Sequence, residues 1–435
     1  MRGLVFVALI VGFFLCPAAS LPMGPASGDG ELTRQFYQLR HGALAWNGDG
    51  QAKGHARQAM TAVSRAAGEG LDPDRYRVFL EGDDIAANDA SLSKAVLAYM
   101  RDLAIGRPDL RTTDADVELP RRAPDFPAML DAALRQDRLQ AMLEDLAPHH
   151  EGYVALKAAL RSGVARGEAN ADIIAANMER WRWLPASLEP DRIMVNAADA
   201  QLEMWLGGKL VLASRVIVGK PSSPTPILRA EGAGITINPP WNVPHSIAAK
   251  EFLPKLKRNP AWLAKNDMVL LNGPAGDPQG LHVDWRAIRA GTFPYSIRQY
   301  PGPHNPLGQI KLELPNQFDV YLHDTSGKKD FEKNARHLSH GCVRVEKILP
   351  LATYALGGDI GAMQTITQVM DQADTVTVPL HKKLPVYFLY WTAIPERDGG
   401  LEVHQDVYGR DQRLIAAMHT KPLQIAANYP ACARG

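Results

Sequence analysis

The sequence predicts an α+β protein, in which an all-α domain precedes a β-rich domain that a helical insertion interrupts. Three observations carry this. Apolar residues recur at three- and four-residue spacing from Glu31 to about Arg161, the period of helices. From Arg192 the period becomes that of strands, in "RIMVN", "QLEMWL" and "KLVLASRVIVG", with Gly207-Gly208 as a tight hairpin turn between the last two. Between Ser246 and about Gly291 the helical period returns in "IAAKEFLPKLKRNPAWLAKND", ahead of loops rich in Gly, Pro and Asp.

The chain of 435 residues suits two or three domains, and 46% hydrophobic with 22% charged residues is ordinary globular composition. A net charge of +1 without any block of lysine or arginine argues against nucleic acid as a partner, because phosphates demand a clustered basic face. Residues 1–20 read as an export signal. Arg2 gives the positive end, "LVFVALIVGFFL" the apolar stretch, and "CPAAS" the small residues before a cut. The run from Leu4 to Leu15 is short for a bilayer, and no later segment is apolar enough, so the mature protein is expected to be exported, soluble and without a stable membrane span. Leu15 is too bulky for the residue that precedes a lipidated cysteine, which argues against a lipid on Cys16.

The helical domain is expected over residues 30–165. "QFYQLR", "HARQAMTAVSRAA", "SLSKAVLAYMRDLAIG" and "PAMLDAALRQDRLQAMLEDLA" carry its period, and Gly70-Leu71-Asp72-Pro73 and Gly106-Arg107-Pro108 punctuate it. It holds no pair of carboxylates and no histidine cluster that would mark a site. "RSGVARGEANADI" reads as a connector into a helix that Pro185 ends at "NMERWRWLP". Trp181 and Trp183 there are expected to pin the helix end to a neighbouring domain rather than to stack on a ligand.

The β-rich domain is expected over 176–410, and 411–435 as a C-terminal tail. Further strand candidates are "GITINPPWNVP", "IKLEL", "DVYLH", "DTVTV" and "PVYFLYW". The insertion at 246–291, lying between sheet segments, is a candidate lid, with structural decoration as the alternative.

The chemistry gathers around "HLSHGCVRV". Once Cys16 leaves with the signal, the cysteines are Cys342 and Cys432. A disulfide between them is one reading for an exported protein. Against it, Cys432 lies in the polar tail "ACARG", and Cys342 sits among Ser339, His340, Gly341 and Arg344, poor company for a core residue. "DVYLHDT" places His323 at the end of an apolar strand, where it can act as base to a Cys342 nucleophile. Gly341 permits backbone angles that aim amides at an oxyanion, and a helix from "EKILPLATYAL" would add positive potential. A zinc site from His323, His337, His340 and Cys342 is a looser alternative, because no ligand spacing typical of zinc appears.

His323 followed by Ser339-His340-Gly341-Cys342-Val343-Arg344, gap included, resembles the signature of L,D-transpeptidases of the YkuD type. "VIVGKPSSPTP", "NPPWNVP", "LPKLKRNP", "PGPHNPLGQIK" and the N-terminal "LAWNG", "GLDPDRY" and "RDLAIGR" are similar to the larger Gram-negative, YcbB-like members. The resemblance covers about residues 30 to 410. It implies a β-rich YkuD-type catalytic domain with a helical lid, behind a helical scaffold, in the periplasm. It implies that Cys342 is the nucleophile and His323 the base, that amides around Gly341 and Cys342 form the oxyanion hole, and that His340 and Ser339 shape the turn. Arg344 would support that turn or meet a substrate carboxylate. Tyr321, two residues before His323, and Trp241 are candidate substrate-binding walls. No metal and no cofactor are implied. The implied partners are peptidoglycan stem peptides as donor and acceptor, with β-lactams acylating Cys342. The implied reaction attacks the carbonyl of the third stem residue, expels the terminal D-alanine, and passes the thioester to an amine, which cross-links the wall or exchanges a D-amino acid. A hydrolase (carboxypeptidase or amidase) and an inactive wall-binding scaffold are the alternatives. The interval from Arg161 to Ala175 is too short for the peptidoglycan-binding module that the larger relatives carry.

Overall fold

The computed structural model describes residues 28–420 except 108, 121–122, 163–167, 373 and 397–399. The export signal at 1–20, Cys16, Cys432 and part of the connector after Arg161 lie outside the described residues.

Six helices make up the first region: α1 (Gly28–Leu39), α2 (Gly50–Ser64), α3 (Ile85–Ile105), α4 (Phe126–Arg135), α5 (Leu139–Asp145) and α6 (Glu151–Ser162). Asp49, Asp84 and Asp125 stand just before α2, α3 and α4 and accept first-turn amide hydrogens that the helix leaves without partners. Helix α3 runs through the middle, with Val96, Leu97 and Met100 fully buried in a cluster shared with Phe36, Leu130 and Leu156. Helix α7 (Glu168–Arg182) joins this region to the next. Its Ile174 and Met178 belong to the helical cluster and its Ala176 to the β-rich one. The Trp181 ring stacks on Trp391 with centroids 4.0 Å apart, which pins the helix end to the β-rich domain.

The sheet of that domain has ten strands, of which Val117–Glu118 and His337–Ser339 lie outside its closed circuit. The other eight are β1 (Arg192–Asn196), β2 (Gln201–Leu206), β3 (Lys209–Gly219), β4 (Ile227–Ile237), β5 (Ile310–Glu313), β6 (Leu322–His323), β7 (Val343–Val345) and β8 (Val376–Leu389). Their order is β4-β8-β1-β2-β3-β7-β6-β5, and β5 pairs back onto β4, so the sheet closes on itself. Closure leaves no long open edge among these strands. Alternate residues such as Ile193, Leu202, Leu322 and Val343 are fully buried in one cluster. Leu351 of α8 (Ile348–Ala355), Ile366 of α9 (Ile360–Met370) and Leu414 of α10 (Arg410–His419) pack into the same cluster.

Three expectations need revision. "DTVTV" and "PVYFLYW" are not two strands but the ends of β8, which continues past Pro379 and Pro385 by shifting register between Pro379 and Leu384. Residues 411–419, expected in a tail, belong to helix α10. Its Arg410 is buried and donates to Asp116 at 2.9 and 2.7 Å, which ties α10 to the loop between α3 and α4 of the helical domain. The insertion is not purely helical. Short helices at Leu253–Arg258 and Trp262–Lys265 stand beside a three-stranded sheet of Trp241–Asn242, Ile297–Gln299 and Met268–Leu270. Phe252, Leu256, Leu263, Trp285 and Phe293 give it a core of its own. No helix among the described residues is long and apolar enough to cross a membrane.

Candidate functional site

Register sets the site. Strands β6 and β7 run parallel with Leu322 opposite Val343 and His323 opposite Arg344. Leu322 and Val343 point into the core and are fully buried. The residues that alternate with them, Tyr321 and His323 on one strand, Cys342 and Arg344 on the other, therefore share the outer face. The Val343 amide donating to the Tyr321 carbonyl at 3.0 Å carries the pairing one step further, so that Tyr321 lies against Cys342. All four line one cleft of about 720 Å³, together with Ser339, His340 and, from the insertion, Trp241.

The turn that presents Cys342 is clamped. Ser339 Oγ donates to the Cys342 carbonyl at 2.6 Å and accepts the Gly341 amide at 3.1 Å. Gly341 sits at φ +118°, a region that favours glycine, while a Cβ there would find its nearest neighbour at an ordinary 3.7 Å. The backbone angle demands glycine here, not lack of room. The loop after β3 holds the turn from outside. Thr225 Oγ1 donates to the Gly341 carbonyl at 2.8 Å, and Ser223 Oγ donates to the His340 carbonyl at 2.9 Å.

This arrangement revises the oxyanion expectation. The Gly341 amide is engaged by Ser339, so of the two amides only that of Cys342 has no partner among the described residues. The helix expected just beyond the nucleophile is also displaced, because β7 intervenes before α8 begins at Ile348.

Cys342 is partly exposed at the cleft. Its thiol donates to the Asp319 carbonyl at 3.5 Å, and surrounding protein pushes its pKa above the ordinary thiol value, with the Tyr321 backbone and side chain opposing that shift. The Tyr321 hydroxyl is held protonated, by burial first and by the neighbouring sulfur second. His323 is 4% exposed and its pKa is lowered to about 3, by burial first and then by the Arg344 charge beside it. Backbone groups at Asp324 and Leu307 oppose that shift, and the ring's Nδ1 is buried without a hydrogen-bond partner. At neutral pH the site therefore holds a thiol and a neutral imidazole with one open nitrogen, not a preformed thiolate–imidazolium pair.

Two tests follow. Alkylation of Cys342 by iodoacetamide in the free protein is expected to rise with pH like that of an ordinary or weaker thiol. A plateau of full reactivity below pH 7 would mean that the ion pair exists. The second concerns stability. An unfolded histidine titrates near 6.5. Between that value and about 3 the unfolded chain binds a proton that the folded chain refuses, so this residue makes stability fall as pH falls through that window. The loss amounts to a few kcal/mol at most. His323→Gln is expected to remove it, read as a smaller drop in melting temperature between pH 7 and pH 4 than the wild type shows.

The remaining candidates separate. Arg344 is half-buried, with Asp330 at 3.8 Å. Trp241 packs edge-on against Phe252, with centroids 5.9 Å apart, and so joins the insertion's core to the cleft. His340 turns away from the thiol: its Nε2 lies 2.7 Å from Glu251 of the insertion and 3.1 Å from Lys220 Nζ. His337 Nε2 meets the Ala197 carbonyl at 2.9 Å. The four residues weighed for zinc thus do not converge, and no group of three or more possible ligands occurs among the described residues. Sequence reading missed Glu251, Lys220 and Thr225, which come from distant segments, and Lys311, whose Nζ lies 4.4 Å from the centroid of the Tyr321 ring. Only the period-2 placement of Lys311 and Glu313 on "IKLEL" could have pointed to that last pair.

Residues 190–378 match the YkuD family, the L,D-transpeptidase catalytic domain, and residues 31–160 match the scaffold domain family. A Haemophilus influenzae protein named "Putative L,D-transpeptidase" is 34% identical over 245 residues, which are 56% of this chain and 49% of that protein. The chain thus spans about half the length of the curated relative it matches. Among solved structures, the carbamoyl enzyme of Ldtfm with avibactam aligns with a TM-score of 0.23 at 12% identity, over 48% of this chain and 51% of that one. An L,D-transpeptidase from Mycobacterium smegmatis aligns with a TM-score of 0.20 at 11% identity, over 46% and 58%.

Proposed function

From a chain that belongs, over residues 190–378, to the YkuD family of L,D-transpeptidase catalytic domains, we propose a periplasmic enzyme that joins peptidoglycan stem peptides through a thioester on Cys342. The observation that carries this reading is the shared outer face of β6 and β7, where a thiol and a buried neutral imidazole with an open nitrogen line one cleft.

In the first half-reaction His323 Nδ1 takes the thiol proton as sulfur attacks the carbonyl of the third stem residue. The Cys342 amide donates to the oxygen that gains charge. The bond to the terminal D-alanine then breaks, and its nitrogen leaves with the proton from His323. In the second half-reaction an acceptor amine attacks the thioester. Its proton passes to His323 and from there to the departing sulfur, which restores the thiol. The depressed histidine pKa makes the ring a ready proton donor to the leaving amine but a weak base toward the thiol, so proton removal has to be coupled to attack of the sulfur on the carbonyl. Tyr321, against the sulfur, supports the charged thiolate as it forms. The export signal read at residues 1–20 supports the periplasm.

The test is mass spectrometry of products from purified tetrapeptide muropeptide. Cross-linked dimer, or exchanged D-amino acid when one is supplied, is the expected product together with free D-alanine. Tripeptide alone in the presence of abundant amine acceptor would make the protein a hydrolase. No product, and no acylation of Cys342 by a β-lactam, would leave a wall-binding scaffold.

A further inference from the structure

A second groove, of about 710 Å³, shares no residue with the catalytic cleft. Its floor is the outer face of the β1–β2 hairpin, where register sets Arg192 opposite Trp205, Met194 opposite Glu203 and Asn196 opposite Gln201. Residues between these, such as Ile193, Leu202 and Met204, point inward and are fully buried. One wall is the stacked Trp181–Trp391 pair, with the His150 ring 5.3 Å beyond Trp181. The groove therefore lies where the helical domain meets the closed sheet.

Its chemistry is that of a site for a neutral, hydroxyl-rich ligand. Trp391 has one face on Trp181, and the Arg192 guanidinium lies 4.6 Å over the Trp205 ring, but both tryptophans stay partly exposed. Their remaining aromatic surface can meet the C–H faces of a sugar, and polar groups between them fix its orientation. Those polar groups have capacity to spare. The Gln201 side-chain amide makes no hydrogen bond among the described residues. Glu203 uses one oxygen, on Trp205 Nε1 at 3.1 Å, and Arg192 leaves Nη2 without an acceptor. The lining also carries Glu151 and Glu396, which disfavour a ligand rich in carboxylates such as a stem peptide. Burial pushes Asp199 up to about 7, so near neutrality it serves in part as a donor and adds less repulsion than its type suggests.

We propose that this groove binds the glycan strand of peptidoglycan, as a run of β-linked N-acetylated amino sugars, and holds the polymer while the cleft works on its peptides. The inference rests on the transpeptidase reading for the identity of the polymer. It gives the protein a hold on an insoluble substrate that is separate from the cleft. Strand β2, part of the groove floor, is separated from the site strand β7 only by β3, a lateral distance of about 10 Å at ordinary strand spacing.

The experiment titrates the full-length protein with chitotetraose, a neutral run of β-linked N-acetylated amino sugars, reading tryptophan fluorescence. Saturable change is expected. Trp205→Ala and Gln201→Ala are each expected to weaken binding about tenfold. Gln201→Ala removes a side chain without hydrogen bonds and keeps the test valid should Trp205→Ala fail to fold. No saturable change in the wild type, unchanged affinity in a folded Gln201→Ala protein, or binding of free stem peptide in place of glycan would each overturn the proposal. Wild-type turnover of soluble tetrapeptide is measured beside these titrations. Its absence would defeat the transpeptidase reading without touching the binding result, and the converse holds as well.

Discussion

Cys342→Ala is expected to abolish acyl-enzyme formation and to lower turnover roughly a thousandfold or more, because a missing nucleophile has no substitute in the cleft. Its side chain meets little else. The thiol's bonds are one weak contact to the Asp319 carbonyl and its approach to Tyr321, while the turn around it is held by Ser339, Thr225 and Ser223 through backbone groups that alanine retains. Stability is therefore expected to change by less than about 1 kcal/mol. Intact-mass spectrometry after exposure to an acylating β-lactam, alongside thermal melting, checks both parts. Retained turnover in the alanine protein would remove Cys342 from its role. Lost turnover with a lowered melting temperature would mean that the residue is structural.

Replacing the insertion is expected to have the next largest effect. The sheet pairs Trp241 with Gln299 and Asn242 with Arg298, so the two ends of the insertion already lie side by side. A short glycine linker from Asn242 to Arg298 would then remove a core that is separate from that of the closed sheet. Cutting at Ser246 and Gly291 instead would leave the strand partners Trp241–Asn242 and Ile297–Gln299 without the helices that cover them. The shortened protein is expected to melt cooperatively and to lose about one to two orders of magnitude in turnover of tetrapeptide donor. It is also expected to shift products toward hydrolysed tripeptide, because the cleft then admits water. The insertion lines the cleft with Val243, Pro244, Ser246 and Ile247 beside Trp241, and it meets His340 through Glu251. Unchanged turnover and product ratio in the shortened protein would make the insertion decoration.

Much of this was legible in the sequence where a local rule decides the outcome. The Gly207-Gly208 hairpin follows from turn chemistry, and α8 begins near Pro350 and stops before Gly357-Gly358 as helix rules require. Cys342, His323 and Tyr321 lie on one face because two short strands alternate. What escaped has physical causes. Strands of two or three residues, as in the insertion, are too short to show a period. Pro379 and Pro385 look like strand ends, and the register shift that accommodates them depends on β4, about 150 residues earlier. Helix α10 looks like polar tail because its anchor, Arg410, is charged, and partners remote in sequence (Asp114, Asp116 and the Thr225 carbonyl) make its burial tolerable. The engagement of the Gly341 amide by Ser339 depends on a side-chain rotation that no spacing reveals.

The pairing of β4 with β5 also bears on how the chain reaches its native state. About 70 residues separate the two strands, and closing so long a loop directly is entropically costly. Nearly all of that length lies in the insertion, whose ends are zipped together by their own sheet. If the insertion assembles first, from contacts close in sequence, only about a dozen free residues remain in the loop, and the closure cost falls by about 1.5 kcal/mol. The element that covers the cleft in the finished protein would then act earlier as a clamp that brings distant strands into register, making a sheet of high contact order accessible at the rate of a simpler one.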